Sequence, residues 1–178
     1  MTSTSRLGRQ IEQVVATLHA VGAPFALIGG LALASHNVVR ATQDVDLLTD
    51  SDVADLIDTE LKKLGYKCLH RSDDVANYLR GDERVDFLFA RRPVARRLLT
   101  DAPELRTSFG SLRVISTEGL IAFKLQGLVN DPRRTQDLED IRSLIRANRP
   151  ALKLNEVREY FRLFQRESLL DEILNDPE

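Results

Sequence analysis

Several residue types that would settle the class of this chain at once are scarce or missing. Among 178 residues there is a single cysteine, Cys68, a single methionine and no tryptophan. One cysteine excludes an intramolecular disulfide and argues against a cysteine-based zinc site. No apolar run approaches the roughly 20 residues that span a bilayer. The opening MTSTSRLGRQ runs into an amphipathic pattern without an apolar signal segment, so the sequence predicts a cytoplasmic protein with no membrane partner. Charge of one sign is lacking too: 25 Lys+Arg against 27 Asp+Glu leaves a formal net charge of -2. That balance excludes binding of nucleic acid by bulk charge alone. Aromatic residues make up only 6% of the chain and do not interleave with the arginines, so no stacking platform for bases is visible. A Walker loop and a dinucleotide fingerprint are both absent. His19, His36 and His70 show no metal-ligand spacing.

What remains is a globular composition, 43% hydrophobic and 29% charged, at a length that can bury a core unaided. Ile11, Val14, Val15 and Leu18 recur at helical spacing up to Gly22. Phe25 to Ile28 is a short apolar run stopped by Gly29-Gly30, the pattern of a buried strand feeding a tight turn. Leu31 to Ser35 reads as a short helix, Asp44 to Leu48 as a strand, and residues 52 to 64 as a helix closed by Gly65. Strands are predicted around 66 to 70, 76 to 80, 84 to 89 and 112 to 115. Only helices follow: 117 to 129, 134 to 147, 153 to 164 and 167 to 174. The predicted class is α+β, a mixed twisted β-sheet flanked by helices with a C-terminal helical extension. The expected organisation is a single compact unit, residues 1–115 forming the α/β core and 116–178 a helical part closing over the active site.

The informative stretch is Leu27-Ile28-Gly29-Gly30, then thirteen residues, then Asp44-Val45-Asp46-Leu47. Successive strand side chains point to opposite faces, so Asp44 and Asp46 share one face while Val45 and Leu47 pack behind. Two such carboxylates repel unless a cation sits between them or one is protonated. Magnesium binds one or two carboxylates plus substrate phosphates, which suits the pair. In Arg84-Val85-Asp86-Phe87, the apolar residues face one way and Asp86 the other, making it a third ligand or a general base for an acceptor hydroxyl. Gly29-Gly30 lets backbone amides approach phosphate oxygens without a Cβ in the way, although a Gly-Gly pair by itself is most often a plain turn.

This order of motifs resembles the nucleotidyltransferase superfamily that shares its fold with DNA polymerase beta: an apolar strand ending in Gly-Gly, a short helix, an acid–apolar–acid–apolar strand, and a later strand carrying a third acid. More closely, Gly29-Gly30-Leu31-Ala32-Leu33 with Arg40-Ala41-Thr42-Gln43-Asp44-Val45-Asp46 is similar to the abortive-infection type of nucleotidyltransferase toxins and their stand-alone relatives. The resemblance covers roughly residues 25 to 145. It implies a metal-dependent enzyme that transfers a nucleoside monophosphate from a nucleoside triphosphate to an acceptor hydroxyl. The expected acceptor is RNA, such as a transfer-RNA end, or a protein, ahead of a small molecule, with an antitoxin as a candidate partner. Mg2+ or Mn2+ would be held by Asp44, Asp46 and Asp86. The alternative is a non-catalytic nucleotide-sensing or partner-binding module on the same fold. Haloacid-dehalogenase phosphatases and metal-dependent glycosyltransferases also use Asp-x-Asp, but neither accounts for Gly29, Gly30 and Asp86 together.

Two charges on inward helix faces stand out in the C-terminal part. Lys124 points from the middle of the stripe formed by Leu120, Ile121, Leu125 and Leu128. Asp137 lies inside the face of Leu138, Ile141, Leu144 and Ile145, with Asp140 at its border. Charges so placed need partners: Lys124 could snorkel or be directed at phosphates, and Asp137 could favour the helix start or pair with Lys124. The family resemblance implies nucleotide-binding roles for Lys124 and Asp137, as it does for Gly29, Gly30 and Arg40. It also places a lysine where this chain has Gln136. The arginines at 91, 92, 96, 97, 133 and 134 read singly as solvated; collectively they could meet a triphosphate or an RNA acceptor.

Overall fold

The computed structural model describes residues 5–176. By its internal contacts the chain divides into two compact units. The first comprises residues up to Ser35 and Val39–Ile115; the second comprises His36–Val38 and the residues from Ser116 onward.

The first unit is built on a five-stranded sheet. In chain order it contains α1 (Arg6–Ala20), β1 (Phe25–Leu27), α2 (Gly29–Ala34), β2 (Val45–Asp50), α3 (Ala54–Lys63), β3 (Lys67–Arg71), β4 (Val75–Arg80), β5 (Glu83–Ala90) and α4 (Pro93–Asp101). A two-stranded ribbon of β6 (Glu104–Thr107) and β7 (Gly110–Arg113) completes it. The sheet order is β1-β2-β5-β4-β3. β2 and β5 run parallel, and every other pairing is antiparallel. A parallel pair needs a long crossover, and here residues 51–82, holding α3 and two strands, provide it.

Alternation explains the layering. Val45, Leu47 and Thr49 on β2, Val85, Phe87 and Phe89 on β5, and Ala76 and Tyr78 on β4 are all buried. Their strand neighbours Asp46, Asp86 and Asn77 are only half-buried. The sheet therefore has one sealed face and one more open face. The buried side chains of α1 (Ile11, Val14, Leu18) and α3 (Ile57, Leu61) belong to the same core. Polar ties fix both helices to the sheet: Gln10 Nε2 donates to the Arg84 carbonyl at 2.9 Å, and the Tyr78 hydroxyl donates to Asp58 at 3.1 Å. Thr49, fully buried, donates its hydroxyl to the Pro24 carbonyl at 2.6 Å.

The second unit contains α5 (Thr117–Asn130), α6 (Thr135–Asn148), α7 (Leu154–Leu163) and α8 (Glu167–Asn175). Ser116 caps α5 by accepting from the Gly119 amide. Buried Glu118 accepts from the Lys153 amide at 2.8 Å, anchoring the entry to α7. His36 joins this unit through Thr117, Nδ1 to Oγ1 at 2.9 Å, and through its carbonyl, which accepts from Asn148. No helix among the described residues is long and apolar enough to cross a membrane.

Candidate active site

β2 and β5 pair so that Val45 lies opposite Val85, Asp46 opposite Asp86 and Leu47 opposite Phe87. Register partners on neighbouring strands project from the same face, one inter-strand spacing of about 4.8 Å apart. The sheet thus brings Asp46 and Asp86 together on the open face, 40 residues apart in the chain. The carboxylate of Asp86 accepts from Asn77 Nδ2 at 2.8 Å and from Arg84 Nε at 2.9 and 3.1 Å. Asp44 stands immediately ahead of β2, outside the ladder, and is half-buried.

The Gly-Gly turn is fitted to this acid. The Ile28 amide donates to the Asp46 carbonyl at 3.0 Å, which holds the end of β1 against β2. Gly29 follows with φ +65°, and a Cβ there would stand 2.1 Å from Asp46 Oδ2. Only glycine meets both conditions at once. At Gly30 a Cβ would come within 2.8 Å of the Thr42 side chain. The space left open by both glycines is therefore taken by this chain's own Asp46 and Thr42. That requirement holds whether or not a phosphate approaches. Arg40 sits half-buried in the segment between α2 and β2.

Of the three expected acids, the strand register sets Asp46 beside Asp86, and Asp44 lies just ahead of it. Among the described residues no group of three or more His, Cys, Asp or Glu side chains is gathered closely enough to hold a metal ion. Asp86 is engaged by Asn77 and Arg84, and Asp44 precedes the strand that aligns the other two. The donor chemistry nonetheless fits a hard cation, since two carboxylates plus substrate phosphates can complete a magnesium shell.

Lys124 and Asp137 lie in the helical unit, in a network of their own. Lys124 is 7% exposed, and its Nζ donates to Asp140 at 2.6 Å and to Asp137 at 3.3 Å. Gln136 Nε2 supplies a second bond to Asp140, and Arg134 pairs with Asp137 at 2.6 Å. Gly127, one turn along α5 from Lys124, leaves the space that Asp137 fills: a Cβ there would lie 2.9 Å from its carboxylate. Asp140, placed at the border of the apolar face by the sequence pattern, is the more buried of the two acids at 2%. A buried lysine joining two helices through paired aspartates is accounted for on structural grounds.

The basic clusters are also partnered. Arg91 bonds Asp73, Arg96 bonds Asp50 and Asp52, and Arg133 bonds Asp131. These contacts resolve the arginines at 91, 96, 133 and 134 into separate ion pairs. Asn77 is the site residue that sequence reasoning did not single out. Alternation along Val75-Ala76-Asn77-Tyr78 gives its face, but its position beside Asp86 depends on the β4–β5 register.

No protein-family model matches the chain, and no curated protein matches it either. Solved structures do. The antibiotic-resistance factor ANT(2'')-Ia superposes with a TM-score of 0.71 at 19% identity, covering 97% of each chain. The lincosamide antibiotic adenylyltransferase LnuA, bound to lincomycin, gives 0.57 at 13% identity over 76% of this chain and 94% of its own. An antigenic nucleotidyltransferase-like protein from Paracoccidioides brasiliensis gives 0.55 at 18% identity, over 97% and 93%. With a mixed sheet that sets Asp46 beside Asp86 behind a glycine turn, the chain has the nucleotidyltransferase fold.

Proposed function

We propose that the protein transfers a nucleoside monophosphate from a nucleoside triphosphate to an acceptor hydroxyl, with release of pyrophosphate. The observation that carries this reading is the in-register pairing of Asp46 with Asp86, with Gly29 closed against Asp46. Like charges are rarely set side by side on a half-open sheet unless a cation or a reacting group uses them.

Asp44 and Asp46 would hold a magnesium or manganese ion together with the substrate phosphates. Bound there, such an ion offsets phosphate charge and aligns the triphosphate. The amides of Gly29 and Gly30 would face the phosphates, and Arg40 would add charge beside them. Asp86 is assigned as the general base. Its carboxylate takes the proton of the acceptor hydroxyl as that oxygen bonds to the α-phosphorus. The bond from the α-phosphorus to the bridging oxygen breaks, and pyrophosphate leaves with that electron pair. Lys124 and Asp137, embedded in their helical network, are assigned to holding the helices rather than to the phosphates.

The acceptor is chosen by chemistry and by likeness. Structural similarity to two antibiotic-modifying proteins across most of the chain favours a small hydroxyl-bearing molecule as the first acceptor to try, ahead of RNA or protein. The test is incubation with each α-labelled triphosphate and magnesium, against an aminoglycoside and lincosamide panel, total RNA and cell lysate. Labelled product in one arm supports transfer and names the acceptor class. Triphosphate binding without product in any arm would favour the sensing module.

A further inference from the structure

We propose that Asn77 is a positioning residue for Asp86, and that Arg84 is its removable counter-ion. The inference rests on the reading of Asp86 as the base. Three strands fix the geometry. Asn77 on β4 lies opposite Asp86 on β5, and Asp86 lies opposite Asp46 on β2, so one polar row crosses the open face. The backbone of Asn77 is held on both sides, by β5 and, at His70, by β3. Its side chain is short, with few rotamers, and it donates to Asp86 Oδ1 at 2.8 Å.

Arg84 is built the other way. It sits two residues along β5 from Asp86, on the same face, and its side chain is 44% exposed against 20% for Asp86. Its Nε spans both carboxylate oxygens, at 3.1 Å to Oδ1 and 2.9 Å to Oδ2. An exposed ion pair on a long side chain is easily surrendered to water or to another anion. When Arg84 turns away, Oδ1 keeps the Asn77 bond and Oδ2 loses the Arg84 bond. A carboxylate anchored through one oxygen presents the lone pairs of the other in a fixed direction, which is what proton abstraction from a hydroxyl requires. The amide therefore orients, and the arginine shields until substrate arrives.

The experiment compares N77L, R84Q, D86N and N77L/D86N, each checked for a wild-type unfolding midpoint, in the α-label transfer assay. N77L, isosteric and apolar, is expected to lower kcat about 10- to 100-fold with KM for the triphosphate unchanged. R84Q is expected to stay within a few-fold of wild type. The double variant is expected to be no slower than D86N, because Asn77 acts only through that carboxylate. Crystal structures of N77L and R84Q put the same question without turnover: the Asp86 carboxylate should rotate in N77L and keep its Asn77 bond in R84Q. An unmoved Asp86 in N77L, additive losses, or an R84Q defect as deep as that of N77L would overturn the proposal. Wild-type turnover by D86N would instead remove Asp86 as the base, leaving its orientation to the crystal structures.

Discussion

The sheet unit and the helical unit each hold a cluster of aspartates, and the two clusters are built on opposite rules. On the sheet, Asp46 and Asp86 sit side by side and half-open, with one exposed arginine and one amide against Asp86. Between α5 and α6, Asp137 and Asp140 are nine-tenths buried and close around Lys124, with Arg134 and Gln136 at the margin. Buried charge must be matched within the protein, because water is not there to do it. Half-open charge left beside like charge keeps a place for an external partner. Motif matching would assign both clusters to nucleotide chemistry; burial and pairing separate them.

Five variants test that separation, from the largest effect down. D46N and D86N should each lower transfer about 100- to 10,000-fold while the unfolding free energy stays close to wild type. Kinetics and urea unfolding on the same samples check this; a stability loss as large as the activity loss would make these acids structural. K124M should do the reverse, costing about 3–5 kcal/mol in urea unfolding by stranding two buried carboxylates. The apolar triple variant K124M/D137L/D140L should recover most of that loss. Recovery would mark the triad as a packing device, whereas loss of activity in a fully stable triple variant would return it to the site. G29A should cost about 1–2 kcal/mol for a left-handed backbone and also displace Asp46, so activity should fall further than stability alone explains.

The smallest effect is pH-linked. Asp58 on α3 is pushed up by burial, but bonds from Lys62 and Tyr78 and the charges of Lys62 and Arg71 outweigh that and hold it below its ordinary value. A carboxylate so depressed contributes stability above its unfolded value of about 4 and loses that contribution as pH falls through the lowered one. Urea unfolding should therefore show wild type more stable than D58N by at most about 1 kcal/mol at pH 7, with the gap closing as the pH falls below about 4. A gap that widens in acid would contradict the assignment.

Much of this is legible in the sequence. Alternation placed Asp46 and Asp86 opposite Val45, Leu47 and Phe87, and the structure keeps them so. The four C-terminal helices fall within a residue or two of their predicted spans. What escaped has physical reasons. α4 and β6 do not stand out because Arg91 to Thr107 is dominated by arginines and short apolar steps, which satisfy neither period clearly; Pro93 at the first turn of α4 is the available signal. Gly29 was legible as a turn, but its contact with Asp46 depends on β1–β2 pairing. Lys124 is legible as an inward charge able to pair with Asp137, and that pair forms; that its ammonium meets Asp140 more closely depends on helix packing. Asn77 carries no motif at all, and only the strand register gives it a partner.

The most direct measurement follows two labels in one reaction, on the α- and the γ-phosphate of the preferred triphosphate, with wild type and D46N. The account predicts that α-label appears on the acceptor and γ-label in pyrophosphate, in equal amounts, and that D46N loses both together. γ-Label on the acceptor, or D46N matching wild type, would contradict it.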